Sequence, residues 1–261
     1  MPDLGPLVRT AIDAALAGGQ AALRTFRDPK LQAETKPDGS PVTSGDRASE
    51  AAILEVLRRE RPADAIVTEE SGDYAGDMAH RWFVDPVDGT RSYVRGIGSW
   101  ATLVALTIDE QPSVGVIFAP ALGQLAVAWT GGGAWLNGRP ISVSLRRTIE
   151  EATLSIGSLD LLPKTHWGER AYHLMGRCFA CRGFSDAIGH IEVASGHIEA
   201  MIDPRGKSWD FAPVAVLIRE AGGMFTSLAG TPGFEEGDAL VSNGRVHQAI
   251  LEALDARGLE S

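Results

Sequence analysis

The sequence predicts a mixed α/β protein in which layered sheets are covered by helices. Three observations lead there: helical and strand patterns mix along the whole chain, no repeat, low-complexity tract or long linker interrupts them, and several strands end in acids. Residues 6–27 read as a helix, with Gly18 and Gly19 loosening its middle. The polar stretch ETKPDGSPVTSGD at 34–46 reads as turns, and an amphipathic helix follows at 46–60 with Ala51, Ile53, Leu54 and Leu57 facing inward. AIVTEE (65–70) and RWFVDP (81–86) are short strands ending in carboxylates. Three β-rich runs fill 99–130, and Asn137-Gly138 signals a hairpin because that pair tolerates the positive φ of a type I′ turn. ATLSIGS (152–158) is a strand, 166–178 and 185–196 are helical, and IEAMID (198–203) is a strand. The helix in WDFAPVAVLIREAGG takes Asp210 as its N-cap and stops at Gly222. MFTSL and ALVSN are strands, and a helix at 245–256 closes the pattern.

The 261 residues are 44% hydrophobic and 22% charged, as in ordinary soluble globular proteins, and suffice for one large domain or two fused lobes. A net charge of −10 argues against nucleic-acid binding, which needs a basic face. The first residues hold no apolar run long enough for a signal peptide or a membrane span. Cys178 and Cys181 form an isolated C-x-x-C. Zinc would need more ligands, and a redox motif needs a strand before a helix, whereas this segment reads as helical. A reducing cytoplasm is the expected location.

Chemistry is carried by acids at strand ends and a helix start: Glu69-Glu70 after AIV, Asp85 and Asp88 after WFV, and Asp210 before FAPVAVLI. Singly, each reads as a solvated residue or a cap. Were they to converge, each like-charge pair at about 4 Å would cost roughly 4 kcal/mol at an effective dielectric near 20. Protonation is one escape and bound cations the other; hard oxygen donors suit Mg²⁺. DPVDGT (85–90) is more specific: Pro86 stiffens a turn that presents both aspartates, and Gly89 lets backbone approach a ligand. If Thr90 opens a helix, the N–H groups of Asp88, Gly89 and Thr90 face an anion. Metal carboxylates beside such a helix start describe a phosphate ester held by metal ions.

TEES at 68–71, WFVDPVDGTRSYVRG at 82–96 and KSWDFAPVAVLIREAGG at 207–223, in this order and spacing, resemble the inositol monophosphatase superfamily over nearly the whole chain. The resemblance implies an α-β-α-β-α sandwich of the inositol monophosphatase / fructose bisphosphatase type, usually dimeric. It divides the chain into an N-terminal lobe at 1–148 with the metal and phosphate motifs and a C-terminal lobe at 149–261 with Asp210 and the substrate pocket, in one compact unit. It also implies two or three Mg²⁺ ions: Glu69 and Asp85 with the Val87 carbonyl at the first, Asp88 and Asp210 at the second with Asp85 bridging, and Glu70 supporting a third through water. Thr90 and Asp46 would orient the attacking water, and the backbone of Asp88, Gly89 and Thr90 would carry the phosphate. Thr68 stands where the family commonly has Gly, and Pro213, expected in the first helical turn, where it has a small residue.

Within the superfamily, RSYVRGIGSWATLVAL, SVGVIFAPAL and RGFSDAIGHIEVASGHIEAMIDP are most similar to histidinol-phosphate phosphatases. Asp186 and Asp203 fall at substrate-pocket positions, where two acids would give charge-assisted bonds to the ammonium and imidazole groups of histidinol phosphate. Arg182 would orient Asp186, or is an ordinary surface arginine. Asp186 or Ser185 could instead cap a helix, and Asp203 could open a turn before Pro204. Other readings are an inositol or sugar phosphatase, and a catalytically silent member that binds metal or a partner. The histidines show no metal spacing and read as surface or satisfied core groups.

Overall fold

The computed structural model describes residues 5–184 and 186–255. The elements, in chain order, begin with α1 (Gly5–Leu23), β1 (Ala33–Thr35), β2 (Pro41–Thr43), α2 (Ser44–Glu60), β3 (Asp64–Thr68) and β4 (Gly72–Tyr74). They continue with β5 (Asp77–Asp88), α3 (Thr90–Val94), β6 (Ala101–Ile108), β7 (Gln111–Ala119), β8 (Gln124–Trp129), β9 (Gly133–Leu136) and β10 (Arg139–Ile141). The remainder is β11 (Thr153–Ile156), α4 (Gly168–Arg177), β12 (Ala180–Arg182), α5 (Asp186–Ala194), β13 (Ala200–Asp203), α6 (Ser208–Glu220), β14 (Met224–Thr226), β15 (Ala239–Ser242) and α7 (His247–Leu254).

Two sheets organise these elements. The larger runs β10-β9-β8-β7-β6-β5-β3-β4 and the smaller β12-β11-β13-β15-β14. In the larger sheet β3 and β5 are parallel and the other neighbours antiparallel. In the smaller one β11 is parallel to both β12 and β13. Helices α1 and α2 cover one face of the large sheet; α5 and α6 lie between the sheets; α4 and α7 cover the far side of the small one. The five layers are therefore α-β-α-β-α, as expected.

The layers approach closely where side chains are missing. A Cβ on Gly18 would stand 2.6 Å from Ile53, and one on Gly19 2.4 Å from the Phe118 ring. These glycines thus seat α1 on α2 and β7 rather than loosen the helix, which runs unbroken through both. A Cβ on Gly115 would lie 2.5 Å from the Pro213 carbonyl oxygen, so this glycine lets α6 lie on the sheet.

Other expectations shift. On α2 Ala51 is exposed, and Val56 joins Ile53, Leu54 and Leu57 in the buried face. The turn-rich 34–46 stretch contains a short hairpin, β1–β2, ahead of α2. Helix α6 starts earlier than expected: Lys207 is its N-cap, and Asp210 is the third residue of its first turn, accepting the Lys207 N–H at 2.7 Å. Pro213 consequently sits inside the helix, where it removes a backbone donor. Cys178 caps α4 and Cys181 lies on a strand, so the C-x-x-C straddles a helix end. Burial pushes the Cys178 thiol up to about 12, leaving little thiolate at neutral pH. Asn137 and Gly138 take φ of 51° and 73°, and β9 and β10 pair on either side of them. Among the described residues no helix is long and apolar enough to cross a membrane.

Candidate active site

The DPVD segment is the end of a bulged strand, not a free turn. Asp85 pairs with Leu103 and Asp88 with Ala101, so β5 carries one extra residue there. Proline fits because a bulge does not need its missing N–H. Two hydroxyls, Ser49 of α2 and Thr102 of β6, donate to the Pro86 carbonyl, each at 2.8 Å. The Val87 N–H donates to Asp85 Oδ1 at 2.9 Å. Gly89 follows with φ 82° and caps α3, so Thr90 does open a helix. A Cβ at Gly89 would lie 2.8 Å from Asp186 Oδ2 and 3.0 Å from the Ser99 carbonyl. No larger residue fits between the helix start and Asp186.

Strand β3 delivers the second pair of acids. The Glu69 N–H donates to Val84 O at 3.2 Å, continuing the strand pairing for one residue. Glu50 of α2, a buried acid unremarked in the sequence, fixes the next two residues: it accepts the Glu70 N–H at 3.1 Å and the Ser71 hydroxyl. Asp46 sits in the first turn of α2 and accepts the Thr43 N–H at 2.8 Å and the Thr43 hydroxyl at 2.6 Å, a capping box. The Thr90 hydroxyl lies 3.1 Å from Asp46 Oδ1 and 2.9 Å from the Val87 carbonyl.

The sites meet in a cleft of about 310 Å³ between the two sheets, lined among others by Glu69, Asp85, Val87, Asp88, Gly89, Thr90, Asp186 and Asp210. Roomier hollows of about 570 and 540 Å³ exist but lack this set, so size alone does not mark the site. Carboxylate oxygens of Asp85, Asp88 and Asp210 all lie within 4.8 Å of one another. Glu69 borders the same cleft, but its carboxylate bonds Lys36 Nζ at 2.8 Å, and Glu70 bonds the same nitrogen at 2.6 Å. Lys36, on the turn between β1 and β2, had no pattern to reveal it. Burial opposes its charge, yet the two glutamates win and hold its pKa above the ordinary value.

Five acids, Asp46, Glu70, Asp85, Asp88 and Asp210, are pushed towards protonation. Burial, then Glu69 and Asp210, raises Asp85 well above the carboxylate range; burial, then Asp186 and Asp210, does so for Asp88. Burial and then Glu69 raise Asp210 to about 7. Burial outweighs Lys36 and raises Glu70 to about 7, and burial also raises Asp46. Carboxylates this close carry their charges together only with a proton or a cation between them. All-oxygen donors crowded in this way fit a hard divalent cation.

The remaining expected residues divide. Asp186 opens α5 with φ 53° and its carboxylate against Gly89, while the Ala187 N–H donates to Asp88 Oδ2 at 2.6 Å. Ser185, the other capping candidate, lies outside the described residues. Asp203 ends β13, buried, beside a small chamber it shares with Asp88, Asp186 and Asp210. Arg182 stands apart: it is exposed, it donates to the Cys181 carbonyl at 2.8 Å, and it borders neither the cleft nor the chamber. Its hydrogen bond stays within its own strand.

Known proteins resemble this chain in sequence and in fold. Histidinol-phosphatases from Mycobacterium tuberculosis and Streptomyces coelicolor are each 38% identical to the chain, covering 87% and 98% of it and 89% and 100% of their own lengths. Among solved structures, the extragenic suppressor protein suhB from Bartonella henselae superposes with a TM-score of 0.91 at 28% identity, covering 97% of this chain and 99% of its own. Inositol monophosphatase from Anabaena gives 0.85 at 30%, covering 97% and 96%. The inositol monophosphatase family model matches residues 3–259, and the chain belongs to that family.

Proposed function

We propose that this protein is a Mg²⁺-dependent phosphatase that hydrolyses L-histidinol phosphate to L-histidinol and inorganic phosphate, working as a cytoplasmic homodimer. The observation that carries the reading is the group of Asp85, Asp88 and Asp210 beside the Gly89–Thr90 helix start, with two further acids, Asp186 and Asp203, on the adjoining wall. The phosphatase chemistry is the family's; the two histidinol-phosphatase relatives support the choice of ester.

Glu69, Asp85, the Val87 carbonyl, Asp88 and Asp210 would hold two Mg²⁺ ions, and Glu70 would support a third. Bound there, the ions would offset the carboxylate charge, polarise the phosphoryl oxygens and acidify a water. The chain supplies the rest. Backbone N–H groups from Asp88 to Thr90 cradle the phosphate. The Thr90 hydroxyl, held between Asp46 and the Val87 carbonyl, orients the attacking water, and buried Asp46, fixed by Thr43, takes up its proton through Thr90. Glu70, raised to about 7, is poised to exchange protons near neutral pH. On the leaving-group side Asp186 and Asp203 present carboxylates to the protonated amine.

Phosphate release from L-histidinol phosphate and inositol 1-phosphate, with and without Mg²⁺, tests this. A clear preference for the amino ester that disappears without Mg²⁺ is expected; preference for the inositol ester overturns the substrate, and no release from any monoester overturns the enzyme.

A further inference from the structure

The Thr90 hydroxyl is shared between two acceptors, Asp46 Oδ1 at 3.1 Å and the Val87 carbonyl at 2.9 Å. Asp46 rides on α2 and Thr90 on α3, so both bonds last only while the two helix starts keep their spacing. Tyr93 stands between those helices. It lies on α3 one turn after Thr90, it is fully buried, and its N–H donates to the Gly89 carbonyl at 3.0 Å. Its hydroxyl reaches the other way. It donates to the Ala22 carbonyl near the end of α1 at 2.6 Å and lies 2.8 Å from the Thr25 hydroxyl.

The same hydroxyl abuts α2. A Cβ on Gly45 would lie 2.3 Å from the Tyr93 hydroxyl oxygen and 2.7 Å from its Cζ, so the residue just before Asp46 must be bare backbone. The ring is also gripped from the sides. Trp100 meets it edge-on with centroids 4.9 Å apart, Phe26 lies at 5.4 Å, and Val87 belongs to the same buried cluster. Burial, opposed by the Thr25 bond and aided by the Asp46 charge, holds the phenol above its ordinary pKa, so it remains a donor. An apolar ring would pack equally well here. A buried hydroxyl must bring partners with it, and these partners are α1 and the turn that follows it.

We propose that Tyr93 is a positioning residue for the attacking water: its hydroxyl, held by α1 and set against Gly45, fixes the distance between α3 and α2 and with it the bonds of Thr90 to Asp46 and Val87. The proposal rests on the roles given above to Thr90 and Asp46 and deepens them, because it names what keeps that pair aligned. Tyr93 lines neither the cleft nor the chamber, so its influence on the reaction passes through Thr90.

The test is a double-mutant cycle of Tyr93→Phe and Thr90→Ala, with kcat and KM measured at saturating Mg²⁺ on L-histidinol phosphate and on phenyl phosphate. Tyr93→Phe should lower kcat about tenfold on both esters alike, since both use the same water, and should leave KM near its wild-type value. Its Tm should fall by only about 2–4 °C, the loss of one buried hydrogen bond. In the Thr90→Ala background the same change should cost nothing further, because the hydroxyl that it aligns is already gone. An unchanged kcat in Tyr93→Phe, a loss confined to KM, or an equal loss with and without the Thr90 hydroxyl overturns the proposal; the last result marks a merely structural tyrosine. An unchanged kcat in Thr90→Ala overturns the water-orienting role itself and the proposal with it, so the two failures are told apart. If Tyr93→Phe does not fold, Gly45→Ala decides, because its Cβ drives the helix starts apart. Its kcat must then fall about tenfold with Thr90 present and not in Thr90→Ala, and any other result overturns the proposal.

Discussion

Consider the metal-free protein unfolded by heat near pH 5 and near pH 8, with and without saturating Mg²⁺. Asp210 is raised from 3.8 to about 7, a change of about 3 units. At 1.36 kcal/mol per unit that is about 4 kcal/mol of differential proton binding. The folded chain binds the proton more tightly than the unfolded one, so it gains stability at low pH and loses it as pH rises from about 4 to about 7. Asp210 keeps some access to solvent from the cleft, and screening brings the figure towards about 2 kcal/mol. Asp85, Asp88 and Glu70 are raised too and act in the same direction. His247 opposes them. Burial lowers its pKa to about 4, so its contribution to stability grows as pH rises from about 4 to its ordinary 6.5. It borders neither cleft nor chamber, so its effect cancels in the difference made by Mg²⁺. That difference is therefore the quantity to read. Mg²⁺ competes with protons for the carboxylates, and its stabilising increment should be larger near pH 8 than near pH 5 by about 2 kcal/mol, or about 4–8 °C in Tm at about 2–4 °C per kcal/mol. Asp210→Asn should raise the metal-free Tm near pH 8 and shrink the Mg²⁺ increment. An increment equal at both pH values, or larger at the lower one, would refute the reasoning.

Other perturbations have equally definite outcomes. Asp88→Asn should lower kcat at saturating Mg²⁺ by at least about 100-fold, the scale seen when one preorganised electrostatic group is lost; steady-state phosphate release measures it. Gly89→Ala forces a Cβ at φ 82° to within 2.8 Å of the Asp186 carboxylate. It should cost about 1–3 kcal/mol in denaturant unfolding and reduce kcat/KM as well. Lys36→Met strands Glu69 and Glu70, so the metal-free protein should lose about 1–3 kcal/mol while the Mg²⁺ increment in Tm grows. Gly115→Ala drives a Cβ to 2.5 Å from the Pro213 carbonyl, a backbone atom that cannot swing aside. It should cost about 1–3 kcal/mol and also lower turnover, because α6 carries Asp210.

The site was legible in the sequence where its residues are close neighbours along the chain. DPVDGT carries two acids, a glycine that must take positive φ and the first residue of a helix within six positions, so local rules suffice. The layer order followed from the resemblance, and the alternation of elements supported it. Lys36 and Glu50 were invisible for one shared reason: each acquires its role from a partner at least 20 residues away, and nothing in KPDGS or in a helical glutamate announces that partner. Gly18 and Gly19 were misread because propensity speaks of the isolated helix, whereas here the missing side chains admit Ile53 and Phe118. Asp210 was placed at the N-cap because acids favour that position; the N-cap is in fact Lys207, three residues earlier, and the Asp210 carboxylate folds back to the Lys207 N–H. Arg182 was expected to support Asp186, but it borders neither the cleft nor the chamber and donates to the Cys181 carbonyl beside it.

The Pro86 carbonyl is held jointly by α2, through Ser49, and by β6, through Thr102. Helix α2 in turn is set by α1 across the bare backbone of Gly18. The outermost layer of the molecule is thereby mechanically wired to its innermost acids: slack introduced on the solvent side of α1 is felt as misalignment of Asp85 against Asp88. Gentle heating that loosens only those two helices should therefore silence turnover while the small sheet, with α4 and α7, still holds its shape.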